Sequence, residues 1–288
     1  LTQFRVESRC ELLTWLLGPP TSLSRKRAKD LIRFGAVTVQ HKRNVRHDTR
    51  LEPGDLVIIS TAKRLDAPVE LHGLRIVHLD DAVIVVDKPA GLLSMGSARE
   101  KELTAHRILN EHLKSLTKSP EQQAFIVHRL DRETSGLMLF ARSERIRAEL
   151  QRNWKSITKK YLAVVEGTPS RTEGTLKDRL LEDKSLRVRV VEQGGELAIT
   201  HYRVLKRRGN RSLLELELET GRKNQIRVQL AALGHPIIGD RKYGAKTDLA
   251  RRLALHSCEL SFRHPVSGAP IKFVSAMPPR LGAVIQLR

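Results

Sequence analysis

Residues 212–219, SLLELELE, set Leu214, Leu216 and Leu218 against Glu215, Glu217 and Glu219 in strict alternation. Only a strand sends successive side chains to opposite faces, so this stretch requires a sheet with one apolar side. Other strand-like runs precede it: KKYLAVVEG, LRVRVVE and LAITHYRVLKRR. Helical spacing is confined to shorter pieces. TAHRILNEHLKSL aligns Ala105, Ile108, Leu109, Leu113 and Leu116, SERIRAELQRNW follows a capping Ser143, and NQIRVQLAALG runs through Ile226, Leu230 and Leu233 to a stop at Gly234. Strands outnumber helices, many are sequential, and few are joined by helical crossovers. The expected class is α+β, with a mixed and mainly antiparallel sheet.

The first sixty residues read as a separate, smaller unit. ELLTWLLG is a helical segment ended by Gly18, Pro19 and Pro20, and SRKRAKDLIRFG is a second helix with Ser24 as its cap and Gly35 as its close. Ala28, Leu31 and Ile32 share one face of that helix, while Arg25, Lys26, Lys29 and Arg33 line much of the rest. The strand-like AVTVQ and DLVIIS follow, the latter started by the turn pair Pro53-Gly54. After the linker TAKRLDAP, LRIVHLDDAVIVVDKPAG reads as two short strands around an acidic turn. The expected boundary therefore divides residues 1–62 from 63–288.

Charge narrows the function. The 288 residues hold 52 Lys and Arg against 32 Asp and Glu, a formal charge of +20, with 40% hydrophobic residues. That is a folded protein whose surface gathers polyanions, and nucleic acid is the commonest of these. Cys10 and Cys258 lie far apart, without CxxC or zinc spacing, so reduced thiols and no structural metal are expected. The chain has no apolar run of about eighteen residues and no signal-like N-terminus, which points to a cytoplasmic protein without a membrane partner. The absence of Walker, GxGxxG and GxSxG patterns removes support for nucleotide hydrolysis and serine-hydrolase chemistry.

Two segments can carry chemistry. HRLDRETSGL, residues 128–137, sets Asp131 between Arg129 and Arg132 in a polar loop between apolar runs. Nearby guanidinium groups would favour the ionised carboxylate and keep it available as a nucleophile or as a partner for developing positive charge. The segment alone reads more readily as a structural turn with a surface ion pair. ETGRKNQIRVQLAALGHPIIGDRKYG places Arg222 and Lys223 beside the start of a helix carrying Arg227, a natural anion site or an ordinary basic edge.

LLTWLL, SRKRAKDLI, GAVTV and EPGDLVII, over about residues 5–60, resemble the small S4 (αL-like) RNA-binding domain. VVDKPAGLL, HRLDRETSGLMLFAR, KKYLAVVEG, ETGRKNQIRVQLAALGHPIIGDRKYG and LHSCELSFRHP resemble, in order, the motif series of the RluA-type RNA pseudouridine synthases. That resemblance implies the pseudouridine synthase fold with a central cleft, and an isomerase that turns uridine in structured RNA into its C-glycoside isomer. Ribosomal RNA stands ahead of transfer RNA as its substrate. The reaction breaks the N1–C1′ bond, turns the uracil, joins C5 to C1′ and removes the C5 proton. It involves no redox step, so no cofactor and no metal are expected, and the enzyme is expected to act as a monomer.

By the same resemblance Asp131 matches the catalytic aspartate, Arg227 the arginine that pairs with it, and Tyr161 the tyrosine that packs on the target base. Ile226, His128, Arg129, Arg222 and Lys88 are the expected substrate-binding residues, with Lys88 shaping the cleft. Arg25, Lys26, Lys29 and Arg33 are the expected RNA phosphate contacts. Lys223, Asn224 and Gln229 replace a Thr-His pair and a later His of many relatives, a departure expected to leave the catalytic trio untouched. GLLSMGS also strays from the commoner ending of the first motif. Two rival readings are a catalytically inactive RNA-binding or ribosome-assembly protein of the same fold and a nucleosidase or glycosidase. The usual paired carboxylates of a glycosidase are not seen.

Overall fold

The structure is a computed structural model, describing residues 2–33, 37–40, 45–59, 69–96, 103–117 and 123–286, without the side chains of residues 26, 30, 33, 116 and 117. It divides into two compact units, residues 1–69 with 76–84, and residues 70–75 with 85–288. Residues 60–68, where the sequence places the boundary, lie outside the described residues, as does Gly35.

In the smaller unit, helices Leu12–Leu17 and Arg25–Arg33 accompany a three-stranded antiparallel sheet ordered Thr2–Arg5, Leu56–Ile59, Val37–Val39. Leu12, Leu16, Ala28, Val39, Leu51 and Val57 form the centre of its core. Ser24 begins the second helix as its spacing predicts, its Oγ accepting the Arg27 N–H at 3.3 Å. Burial of Ala28 and Leu31 turns Arg25 and Lys29 outward to solvent. The strand Thr2–Arg5 gave no sequence signal, because TQFR has only Phe4 to mark a face.

The larger unit is built on a long mixed sheet. Its strands run in the order Val188–Val191, Glu173–Glu182, Glu196–Arg208, Arg211–Leu218, Thr158–Glu166, Leu255–Arg263, Ser135–Ala141, Val83–Lys88. Neighbours are antiparallel from Val188–Val191 as far as Leu255–Arg263, and Leu255–Arg263 runs parallel to Ser135–Ala141. The Leu/Glu alternation holds: Leu214, Leu216 and Leu218 are buried, while Glu215 pairs with Arg203 at 2.9 Å on the other face. The ten-residue strand Glu173–Glu182 was not legible, because Leu180 alone among its residues is buried. Helix Gln225–Ala232 ends where the sequence predicts, with Gly234 at φ +87°, but Leu233 is exposed instead of packed. It lies past the last helical turn, where the 3.6-residue period no longer places it. The helix Pro279–Gln286, which buries Leu281, Val284 and Ile285, was also not anticipated. Among the described residues, no helix is long and apolar enough to cross a membrane.

The strand Ser135–Ala141 is buried along its whole length and leads directly out of the Asp131 loop. At its start, Gly136 (φ +112°) lies so close to Ser257 on the parallel neighbour that an added Cβ would stand 2.2 Å from the Ser257 carbonyl oxygen. Both the backbone conformation and the contact require glycine. Gly136→Ala is therefore expected to destabilise the protein by more than ~2 kcal/mol, read as a lower urea midpoint at unchanged slope. An unchanged midpoint would mean that the two strands part easily there.

Candidate active site

Asp131 sits in a turn closed by the Thr134 N–H on its carbonyl at 3.1 Å, and the segment 88–94 holds the residues on either side of it. Ser94 Oγ donates to the Leu130 carbonyl at 2.6 Å and accepts the Leu130 N–H at 3.0 Å. On the other side, the Gly91 N–H donates to the Arg132 carbonyl at 2.8 Å and Arg132 Nε to the Gly91 carbonyl at 3.1 Å. Lys88, expected to bind substrate, is instead wholly buried. Its ammonium donates to the carbonyls of Pro89 (2.9 Å), Leu92 (2.7 Å) and Arg132 (3.1 Å), so it fastens the loop from beneath. Burial lowers its pKa to about 7 against the upward pull of Asp131 and Glu133.

The carboxylate meets two residues of the second segment. Arg227 Nη1 lies 3.2 Å from Asp131 Oδ2, an ion pair spanning 96 positions of sequence. The rest of that guanidinium is committed to Asp240, with Nε on Oδ2 at 2.7 Å and Nη2 on Oδ1 at 2.8 Å. Burial pushes the Arg227 pKa down, but the hydrogen bonds and charge of Asp240, joined by those of Asp131, raise it above the ordinary value. The other residue is Asn224. Its amide nitrogen faces Asp131 at 2.8 Å from Oδ2 and 3.2 Å from Oδ1, while its oxygen accepts the Tyr243 hydroxyl at 2.9 Å. Asn224 thus touches the trio that the sequence departure was expected to spare. Asp240 and Tyr243 also went unassigned in the sequence, although both lie in the quoted stretch GDRKYG.

A small cavity of about 60 Å³ adjoins Asp131, walled by Tyr161, Leu218, Asn224, Ile226 and Arg227. It shares Arg129, Tyr161, Leu218 and Arg222 with an outer chamber of about 330 Å³, which adds Trp154 and Lys159. The inner cavity is the smaller space beside Asp131, and the outer chamber is of ligand size. Tyr161 reaches this wall from the strand Thr158–Glu166, whose pairing with Leu255–Arg263 shifts register between Lys160 and Tyr161. Such an irregularity re-aims a side chain. Burial raises the phenol pKa, the Ser257 hydroxyl opposes this, and the Asp131 charge adds to the rise, so the group keeps its proton. Arg129 is exposed at the mouth, and Arg222 turns to Glu196 at 2.6 Å.

Of the other replaced positions, Lys223 pairs with Glu182, and Gln229 is buried among Asp178, Ala198 and Thr200. The side chains of Lys26 and Arg33, two of the expected phosphate contacts, lie outside the described residues. Among the described residues no group of three or more His, Cys, Asp or Glu side chains could hold a metal ion.

Residues 82–232 match the family described as RNA pseudouridylate synthase. An uncharacterized RNA pseudouridine synthase of Synechocystis sp. is 35% identical over 278 residues, covering 92% of this chain and 84% of its own. The ribosomal large subunit pseudouridine synthase D of Neisseria meningitidis serogroup B is 36% identical over 274 residues, covering 88% of this chain and 72% of its own. Among solved structures, human RNA pseudouridylate synthase domain containing 4 superposes with a TM-score of 0.62 at 25% identity, over 74% of this chain and 93% of that one.

His128, expected at the substrate, lines the outer chamber and also makes a structural bond. Its Nε2 accepts the Leu139 N–H at 3.0 Å and its ring lies tilted against Trp154, 4.6 Å between centroids. Burial, then the Lys159 charge, lowers its pKa to about 3 against the opposing bond to the Arg129 backbone. The folded state therefore binds fewer protons than the unfolded chain between pH 6.5 and 3, and stability falls as pH drops through that window. His128→Gln retains an acceptor without the titration. From pH 6.5 to 4.5 the wild type should lose about 1–2 kcal/mol more stability than this variant in urea unfolding. Parallel losses would show that the fold does not hold the imidazole neutral.

Proposed function

The chain belongs to the RNA pseudouridylate synthase family, and from that premise we propose that Asp131 is the group that drives conversion of uridine to pseudouridine in structured RNA. One observation carries the assignment of the site: the Asp131 carboxylate stands beside a cavity with Arg227 3.2 Å away and Tyr161 in the same wall. Arg227 aims the carboxylate at the ribose–base linkage. Tyr161, holding its proton, packs against the uracil, and Ile226 closes the apolar side. Fixing reacting groups in this way lowers the barrier by prior orientation. The isomerisation exchanges one bond at C1′ for another without oxidation, so these side chains act without a redox cofactor.

A target uridine must leave its stack to reach the inner cavity, at a cost of a few kcal/mol. Backbone phosphates offset that cost through Arg129 and Arg222 at the mouth, and through an S4-like RNA-binding domain at residues 1–62. In that domain Arg25, Lys26, Lys29 and Arg33 line one helix. Ribosomal RNA is the preferred substrate class, on the strength of relatives named for the ribosomal large subunit. The enzyme acts as a monomer in the cytoplasm.

Product analysis on RNA tritiated at uridine C5 tests this reading. Wild-type protein is expected to release the C5 label without free uracil, whereas free uracil would indicate hydrolysis and neither product simple binding. Asp131→Asn should abolish turnover with RNA affinity within a few fold, and a variant that still turns over would remove Asp131 from its role.

A further inference from the structure

Asn224 starts the helix that carries Arg227, yet it does not cap that helix. Its backbone is left-handed (φ 53°, ψ 20°), and its side chain makes no hydrogen bond to the first-turn N–H groups. Left-handed backbone is unusual for a non-glycine residue, though Asn tolerates it better than most. The residue is 8% exposed, and its amide is occupied between Asp131 and Tyr243.

The Asp131 carboxylate, which can only accept, fixes which way the amide faces. With the amide nitrogen directed at Asp131, the Tyr243 hydroxyl donates to the amide oxygen at 2.9 Å. With the amide turned over, its oxygen would confront two carboxylate oxygens. The Tyr243 ring also lies 5.2 Å from the Arg227 guanidinium carbon, so one side chain backs both donors to Asp131.

The donors load the two carboxylate oxygens unequally. Among the described residues, Oδ2 receives Asn224 at 2.8 Å and Arg227 at 3.2 Å, whereas Oδ1 receives only the longer contact from Asn224, at 3.2 Å. The oxygen with fewer hydrogen bonds keeps more of its electron density for reaction. We propose that Asn224 is a positioning residue which, with Arg227, ties down Oδ2 and presents Oδ1 to the ribose–base linkage, Tyr243 holding the amide from its other end. This rests on the reading of Asp131 as the reacting group. It makes the departure at position 224 a working part of the site.

The test compares single-turnover rate, RNA Kd and melting temperature for Asn224→Gly, Asn224→Asp, Tyr243→Phe and the Asn224→Gly/Tyr243→Phe double variant, with Asp131→Asn as reference. Glycine adopts the same backbone without the amide. Loss of a hydrogen bond to a charged group should lower the Asn224→Gly rate about 10- to 100-fold, with Kd and melting temperature near wild type. Asn224→Asp keeps the size but sets a second carboxylate against Asp131, so its rate should fall further. A residue that merely filled space would give the reverse order. Tyr243→Phe should slow the reaction less and add nothing in the Asn224→Gly background, because the two act through one amide. An Asn224→Gly rate within about two-fold of wild type, beside an inactive Asp131→Asn, would overturn this proposal and leave the role of Asp131 standing. The reversed Gly/Asp order, or full additivity with Tyr243→Phe, would overturn it too. An active Asp131→Asn would instead refute the reading beneath it. Should Asn224→Asp fail to fold, the remaining variants decide.

Discussion

The Arg227 guanidinium is shared between two carboxylates, and the rest of the site is arranged around that sharing. Asp240, with a side chain only 1% exposed, takes two of its nitrogens, while Asp131, 30% exposed, meets the third. Removing a charge from water costs several kcal/mol unless a partner answers it at close range. Asp240 answers it here. The cation is thereby anchored in the core before Asp131 is considered, and its remaining N–H group becomes a fixed donor at the edge of a cavity. Two acidic groups around one arginine have different duties because their exposure differs. The enclosed one secures the cation, and the accessible one is free to meet a substrate.

That geometry needs equally firm support on the opposite side, because Asp131 lies on a loop. Ser94, Gly91 and Lys88 bond to the backbone of Leu130 and Arg132, the residues on either side of it. The loop then enters a buried strand through Gly136, where the neighbouring backbone comes too close for any side chain. Tyr161 comes from another strand of the same sheet, and Arg227 from the helix that follows Arg211–Leu218. Elements distant in sequence therefore hold the three groups together, and the sheet supplies the stiffness that orientation requires.

Hydrophobic alternation and helix spacing made much of this framework legible, but only where one face is buried. Leu214, Leu216 and Leu218 reveal their strand because Glu215, Glu217 and Glu219 oppose them. Glu173–Glu182 stays hidden because backbone pairing on both edges holds a strand with almost no apolar face. Leu233 misled because periodicity carries no information about where a helix stops packing. The roles given to Asp131, Arg227 and Tyr161 came from ordered motifs that resemble a family; spacing alone left the Asp131 segment more readable as a surface turn. Asp240 and Asn224 were invisible for a related reason. Charge pairing and amide orientation depend on which residues the fold brings together, and no period in the chain records that Asp240 lies against Arg227 or that Asn224 turns to Asp131.

Replacing Arg227 with lysine tests the shared cation most directly, through the single-turnover isomerisation rate at saturating RNA. Lysine keeps the charge but has no planar fork with which to hold Asp240 and reach Asp131 together. If the fork aims the carboxylate, the rate falls by about 100-fold or more while RNA affinity stays near wild type. A lysine variant within a few fold of the wild-type rate would contradict the account, for charge alone would then suffice and the bridging geometry would have no part in the reaction.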